Sequence, residues 1–293
     1  MDLSSPAVVN RIRDRFDLKP SKSLGQNFIT DGNIVSKIVD GAGISEEDLV
    51  IEIGPGIGVL TSVLAERAAF VAAVEIDKRL IPVLEETLME YSNVRVINAD
   101  ILKTDLQQLV RTCREEGLFT GKVRVIGNLP YYITTPIIMK LLEEQVPADS
   151  ITVMMQKEVA DRIRSAPGSR TYGAISVAVQ YYCRVEKVTD VPKEAFIPRP
   201  KVASTVLNLE PLEERIEVAD EKTFLRCVKA GFAQRRKTLL NSLAAGSGMD
   251  KDHVRKILET AGIDPGRRAE TLTVEEFGRI ANGISNEQDK RIP

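Results

Sequence analysis

The chain has 293 residues, 43% hydrophobic and 28% charged, the make-up of a globular protein with room for one large domain or an ordinary domain plus a small one. Its net charge of −2 excludes a protein that is basic throughout, as a general nucleic-acid binder would be. No apolar run approaches the ~20 residues of a membrane span, and the charged N-terminus lacks the apolar centre of a signal peptide, so a cytoplasmic location is expected.

In chain order, the first readable element is the apolar run Leu49–Gly54, "LVIEIG", a strand that ends in glycine. Helical spacing follows over Gly58–Ala68, then a strand over Phe70–Asp77 and a helix over Lys78–Tyr91. Asn93–Asp100 and Lys122–Asn128 are further strands. Ile133–Gln145 reads as a helix with Pro136 in its first turn, and Ile151–Gln156 as a strand. Strands alternating with helices mean an α/β domain whose mostly parallel sheet is covered on both faces. Tyr181–Val191 and Ala203–Pro211 look like strands with no helix between them, which predicts an antiparallel edge. Beyond an acidic stretch the chain reads as short helices only, so a boundary near Pro211–Val218 divides it into residues 1–212 and an all-helical 213–293. The window Arg226–Lys237 carries Arg226, Lys229, Arg235, Arg236 and Lys237 without an acid, a patch able to hold phosphates.

The ends of the strands carry the chemistry. Gly54, Gly56 and Gly58 stand between the first strand and its helix, where glycines let backbone approach a ligand. The dinucleotide pattern G-x-G-x-x-G would need glycine at position 59, which is Val59, and this lowers the hydride-transfer reading. The next strand leads to Glu75, suited to ribose hydroxyls, the third to Asp100, able to accept from an adenine amine, and the fourth to Asn128. Any one of these is as easily a helix cap or a turn residue. The four together favour a bound nucleoside cofactor, because ligands of open α/β sheets sit outside the carboxyl ends of strands. Ile76 and Ile101 flank an adenine ring or simply pack the core, and the sequence does not separate the two.

The stretch "VIGNLPYYITTP", Val125–Pro136, is the least ordinary. A plain strand-to-helix turn explains Pro130 but not the amide and the tyrosines. If the cofactor carries a methyl on a positive sulfur, transfer to an exocyclic adenine amine requires the amine's lone pair to be localised, the base to be held in line and water to be kept out. The Asn128 amide oxygen and a backbone carbonyl such as that of Leu129 accept the two N–H protons, Pro130 stiffens the turn, and Tyr131 offers a stacking face worth ~1–3 kcal/mol. Such a pocket requires the base to leave its stack.

Taken together, "SLGQNFI" (Ser23–Ile29), "IEIGPGIGVLT", "VEID" (Val74–Asp77), "NADIL" (Asn98–Leu102), "GNLPYYITTPI" (Gly127–Ile137), "FIPRPKVASTVLNL" (Phe196–Leu209) and "FAQRRKTLLNSL" (Phe232–Leu243) resemble, in order, the motifs of the ribosomal RNA adenine dimethyltransferases, over about Lys19 to Phe277. The resemblance implies a Rossmann-like S-adenosylmethionine-dependent methyltransferase domain with a small helical C-terminal domain. It implies N6,N6-dimethylation of two adjacent adenosines in the 3′-terminal hairpin loop of small-subunit (16S) rRNA, in the immature 30S subunit. It places Asn27, Ile29 and Gly54 at the methionine end of the cofactor, Glu75 on the ribose, Asp100 on the adenine amine, and Asn128 on both cofactor and target. Tyr131 would stack on the target base and Phe196 would form a second wall. Arg235, Arg236 and Lys237, with Arg199 and Lys201 as weaker candidates, would meet rRNA phosphates. Ile29 stands where leucine is common, a volume-conserving change.

The antibiotic-resistance branch, which dimethylates an adenosine of large-subunit rRNA, typically has isoleucine where this chain has Leu129 and lacks a close match to "FAQRRKTLLNSL". DNA adenine methyltransferases favour an acidic or Asn-Pro-Pro-Tyr tetrapeptide. A non-catalytic assembly factor would not need an intact pocket. A lone histidine, His253, and three scattered cysteines, Cys113, Cys183 and Cys227, give no metal-site spacing, so no metal is expected; nor is an oligomer, because no exposed apolar helix face stands out.

Overall fold

The computed structural model describes residues 3–18 and 25–289. Of the motifs above, Lys19–Leu24, including Ser23 and Leu24 of "SLGQNFI", lies outside the described residues. Contacts divide the chain into two compact units, residues 1–160 with 185–211, and residues 161–184 with 212–293. Residues 161–184 were expected in the first domain; they pack instead with the C-terminal helices.

Among the described residues the strands are β1 (Phe28–Ile29), β2 (Leu49–Ile53), β3 (Phe70–Glu75), β4 (Val94–Asn98), β5 (Val123–Asn128), β6 (Ser150–Gln156), β7 (Cys183–Val191), β8 (Phe196–Ile197) and β9 (Ser204–Pro211). Seven form one sheet in the order β4-β3-β2-β5-β6-β9-β7. β4 through β6 run parallel, and β9 is antiparallel to β6. β2 and β3 are buried along their whole length, which is why they read as apolar runs interrupted only by Glu52 and ended by Glu75. The chain builds outward from β2 to β4, then returns to set β5 on the other side of β2. That reversal makes the carboxyl ends of β2 and β5 the switch point, where ligands of such sheets bind. Gly127 permits the close approach there: a Cβ on it would stand 2.8 Å from the Ile53 carbonyl oxygen.

Helices of the first unit are α1 (Pro6–Arg15), α2 (Gly32–Ala42), α3 (Val59–Ala65), α4 (Ile81–Thr87), α5 (Leu106–Glu115) and α6 (Thr134–Glu143). α1, α2 and α5 were not anticipated from the sequence. α2 nonetheless has a clear start: the Asp31 carboxylate accepts from the Asn33 and Ile34 amides, and Gly43 closes the helix at φ +60°. β1 and β8 form a separate antiparallel pair, with Phe28 opposite Ile197 and Ile29 opposite Phe196. This pair joins the "GQNFI" and "FIPRP" segments.

α7 (Lys157–Ile163) leads into the second unit, which holds α8 (Ala174–Tyr182), α9 (Glu221–Phe232), α10 (Leu239–Ser247), α11 (Lys251–Thr260) and α12 (Val274–Asp289). Its core centres on fully buried Tyr172, Phe224 and Phe277, with Phe232 stacked on Phe277 at 5.7 Å. The strand expected over Tyr181–Val191 begins at Cys183, because Tyr181 and Tyr182 end α8. Tertiary packing overrides their strand preference: Tyr181 lies 4.4 Å from the Phe224 ring, and the Arg215 guanidinium lies over both tyrosines.

Candidate active site

A single concave cavity opens at the carboxyl ends of β2, β3 and β5, with an empty volume of about 940 Å³ counting its mouth. It is bordered by Asn27, Ile29, Gly54, Gly56, Glu75, Ile76, Asp100, Ile101, Asn128 and Pro130, residues drawn from five separate sequence motifs. Three carboxyl groups, Glu52, Glu75 and Asp100, line it, and among the described residues no lysine, arginine or histidine does. Most of the remaining wall is apolar.

Each strand end fixes its side chain locally. Gly54 takes φ +71°, and a Cβ on it would meet nothing within 4 Å, so the backbone there is bare toward the cavity. Glu75 closes β3 and is 4% exposed. One oxygen accepts from the Gly56 amide at 3.2 Å and the other from the Asp77 amide at 2.8 Å. Each oxygen keeps a further lone pair for a ligand hydroxyl. Burial raises the Glu75 pKa, and the two amide bonds oppose the rise. Asp77 is held below the usual carboxylate range, chiefly by the Arg79 guanidinium. It also accepts from the Gln26 side chain at 2.8 Å, which ties the loop before β1 to the tip of β3. Asp100 accepts from the Leu102 amide through one oxygen at 3.0 Å.

The two isoleucines are no longer equivalent. Ile101 is 6% exposed, whereas Ile76 is 49% exposed at the cavity wall. Core packing therefore does not account for Ile76, which presents its side chain at the cavity wall.

At the end of β5, the Asn128 amide nitrogen donates to the Asn27 carbonyl at 3.0 Å. This fixes the amide's orientation and leaves Oδ1 as its unused acceptor among the described residues. The Pro130 carbonyl accepts from the Ile133 amide at 3.1 Å and the Thr134 hydroxyl at 3.0 Å. Leu129 buries its side chain completely and donates its amide to Met154, but no described group donates to its carbonyl. The turn thus presents two adjacent acceptors, Asn128 Oδ1 and the Leu129 carbonyl. Tyr131 does not border the cavity; its hydroxyl is 2.7 Å from Ser204 Oγ, which holds the ring on the β9 side.

Three expectations need correcting. Phe196 is 3% exposed, packed across the β1–β8 pair, and presents no face to a base. Arg235 does not project freely: its Nη2 donates to the Arg170 carbonyl at 2.8 Å and the Tyr172 carbonyl at 3.3 Å, and it pairs with Glu270 at 3.5 Å. Arg199 pairs with Glu194. Arg236, Lys237 and Lys201 are exposed and without a side-chain partner among the described residues. The three cysteines are buried, and no metal-binding group occurs among the described residues.

The sequence reading passed over Glu52. Its signal was present: one carboxylate inside the apolar strand "LVIEI". Glu52 is 1% exposed, lines the cavity, and its Oε2 has no hydrogen-bond partner among the described residues. Burial pushes its carboxyl up to about 8. The Thr61 side chain nearby pulls it back somewhat, and the Glu75 charge adds to the rise. The folded chain therefore holds this proton between its ordinary 4.5 and about 8, where the unfolded chain has lost it. Stability falls as pH rises through that window. Glu52→Gln removes the slope, so the ligand-free melting temperature should drop less from about pH 6 to about pH 8 in the variant than in the wild type. Equal drops would assign the proton to another group.

An orphaned buried carboxyl, a second buried carboxylate and an apolar wall fit a ligand that is a nucleoside bearing positive charge and no phosphate.

The family model described as ribosomal RNA adenine dimethylase matches residues 5–286. A ribosomal RNA small subunit methyltransferase A from Alkaliphilus oremlandii is 53% identical over 97% of this chain and 98% of its own. Among solved structures, a dimethyladenosine transferase from Plasmodium falciparum superposes with a TM-score of 0.74 at 25% identity, covering 89% of this chain and 98% of that one. The 23S rRNA methyltransferase ErmE superposes with a TM-score of 0.65 at 27% identity, covering 88% of this chain and all of that one.

Proposed function

The chain belongs to the ribosomal RNA adenine dimethylase family, and from that premise we propose that it transfers methyl groups from S-adenosylmethionine to N6 of two adjacent adenosines in the 3′-terminal hairpin loop of 16S rRNA. The observation that carries this is a cavity lined by three carboxyl groups and, among the described residues, no cationic side chain, opening beside two free acceptors on the Asn128–Leu129 turn. A pyrophosphate cofactor would meet only like charge there. The relative that is 53% identical carries a small-subunit name, whereas the large-subunit enzyme ErmE is 27% identical, and this favours the small subunit.

When bound, S-adenosylmethionine supplies an electrophilic methyl on a positive sulfur. Glu75 accepts from the ribose hydroxyls and Asp100 from the adenine amine, with Ile76 and Ile101 on the ring faces. Asn27, Ile29 and Gly54 meet the methionine end. Asn128 Oδ1 and the Leu129 carbonyl accept the two N–H protons of the target amine. This draws the nitrogen toward tetrahedral geometry and aims its lone pair. Tyr131 stacks on the base, its ring fixed through Ser204. With the cofactor bound, the methyl–sulfur bond would break as the nitrogen–methyl bond forms, the neutral thioether would leave, and the acidic ammonium proton would pass to water. Detection of a methylated enzyme on the path would overturn this.

The substrate is the immature 30S subunit, met in the cytoplasm by a monomer. Arg236 and Lys237, and more weakly Lys201, contact rRNA phosphates. Arg235 braces the loop that bears them. Alanine at Arg236 or Lys237 should weaken RNA binding and lower the slope of log affinity against log salt by ~1 each. Alanine at Arg235 should lower the melting temperature, which the other two should not. The experiment for the whole reading is incubation with methyl-labelled S-adenosylmethionine and immature 30S or 50S particles. Label confined to 30S RNA is the expected result, and label confined to 50S RNA would move the chain to the large-subunit branch.

A further inference from the structure

Tyr132 is the one exposed aromatic side chain among the described residues, at 56%. It borders the cavity, four residues beyond Asn128. Its ring runs beside the loop ahead of β1: a Cβ on Gly25 would lie 3.7 Å from Tyr132 Cδ1 and 3.6 Å from Pro130 Cβ. That loop is the one that carries the Asn27 carbonyl, to which Asn128 donates. The Tyr132 hydroxyl has no partner among the described residues, in contrast to that of Tyr131, which Ser204 holds. An aromatic ring exposed at the lip of a site, near the acceptors for a target amine, offers a face on which a base can stack.

We infer that Tyr132 is the stacking platform for the nucleotide that flanks the target adenosine. The inference rests on the reading of this cavity as an RNA adenine methyltransferase site. A base drawn out of its stack leaves its neighbour with one bare face. Tyr132 offers a replacement face at the lip of the cavity, while Tyr131, held by Ser204, is left to the target base. The ligand is thus an unpaired base joined to the target, an adenine in the case of two adjacent adenosines. Tyr132 is a positioning residue: it touches no reacting atom and acts on the register in which the RNA strand enters.

The chain contains no tryptophan, so Tyr132→Trp creates a single fluorophore at this position. The probe is an RNA hairpin whose loop carries two adjacent adenosines, added at concentrations that saturate binding in a gel-shift assay. The fluorescence of Tyr132→Trp should be quenched by the hairpin and unaffected by S-adenosylmethionine alone. It should be quenched less by a hairpin in which the flanking nucleotide is abasic. Quenching by the cofactor alone, or equal quenching by intact and abasic hairpins, would overturn the inference. On immature 30S particles, Tyr132→Ala should raise KM for the particle ~10-fold, in the range expected for one lost base stack, with kcat and cofactor affinity changed far less. Tyr132→Phe should restore KM, and an unchanged KM in Tyr132→Ala would also overturn it. Failure of the parent reading is separately visible, since the unmutated chain would then transfer no methyl to the RNA.

Discussion

Asn128→Ala is expected to cut kcat for methyl transfer by ~10²–10³-fold, the usual cost of removing one preorganised group that acts on the transition state. The side chain has two jobs in this structure. Its nitrogen donates to the Asn27 carbonyl and so holds the loop before β1 in place. Its oxygen is left as an acceptor, one residue from the free Leu129 carbonyl. Alanine removes both, so cofactor affinity should also fall, by the ~10-fold or less of one neutral hydrogen bond. Turnover is predicted to lose much more than binding. Asn128→Asp keeps an acceptor but sets a carboxylate against the Asn27 carbonyl, so it should not restore turnover. Single-turnover transfer at saturating cofactor checks this, and a loss below about tenfold would remove Asn128 from its role in localising the amine's lone pair.

Glu75→Ala should raise the Kd for S-adenosylmethionine ~10²–10³-fold, because hydrogen bonds to a charged group are worth ~1.5–3 kcal/mol each and two ribose hydroxyls lose theirs together. Glutamine is isosteric but should not rescue binding. Both carboxylate oxygens already accept from backbone, one from Gly56 and one from Asp77. An amide would turn an NH₂ group against one of those N–H groups, and the loop would have to shift to relieve it. Calorimetric titration on variants that keep the wild-type melting profile gives the answer. Near-normal affinity in Glu75→Gln would mean that the ribose is held elsewhere.

The parallel strands were legible because those at the centre of the sheet, buried on both faces, read as apolar runs. Their chemically unusual ends, Gly54, Glu75, Asp100 and Asn128, all prove to border one cavity. Features that depend on distant pairing were not legible. The β1–β8 pair joins segments far apart in sequence, and two-residue strands leave no period to read. Tyr181 and Tyr182 look like strand residues until Phe224 and Arg215 are placed against them. Arg235 looks identical to Arg236 in sequence, and only the Arg170 and Tyr172 carbonyls tell the two apart. Glu52 was open to a closer reading, since a carboxylate in the middle of a fully buried strand requires an explanation.

The central claim is that the Asn128–Leu129 turn presents the exocyclic amine of adenine to a methyl donor in the acid-lined cavity. The most direct measurement is nucleoside mass analysis of 16S rRNA from immature 30S particles after exhaustive reaction with S-adenosylmethionine. The predicted result is N6,N6-dimethyladenosine at the two adjacent positions of the 3′-terminal hairpin loop, and no other new methylated nucleoside. Methylation at a ring nitrogen of adenine, on another base, or on a ribose hydroxyl would contradict it, because neither acceptor on the turn would then have an amine proton to receive.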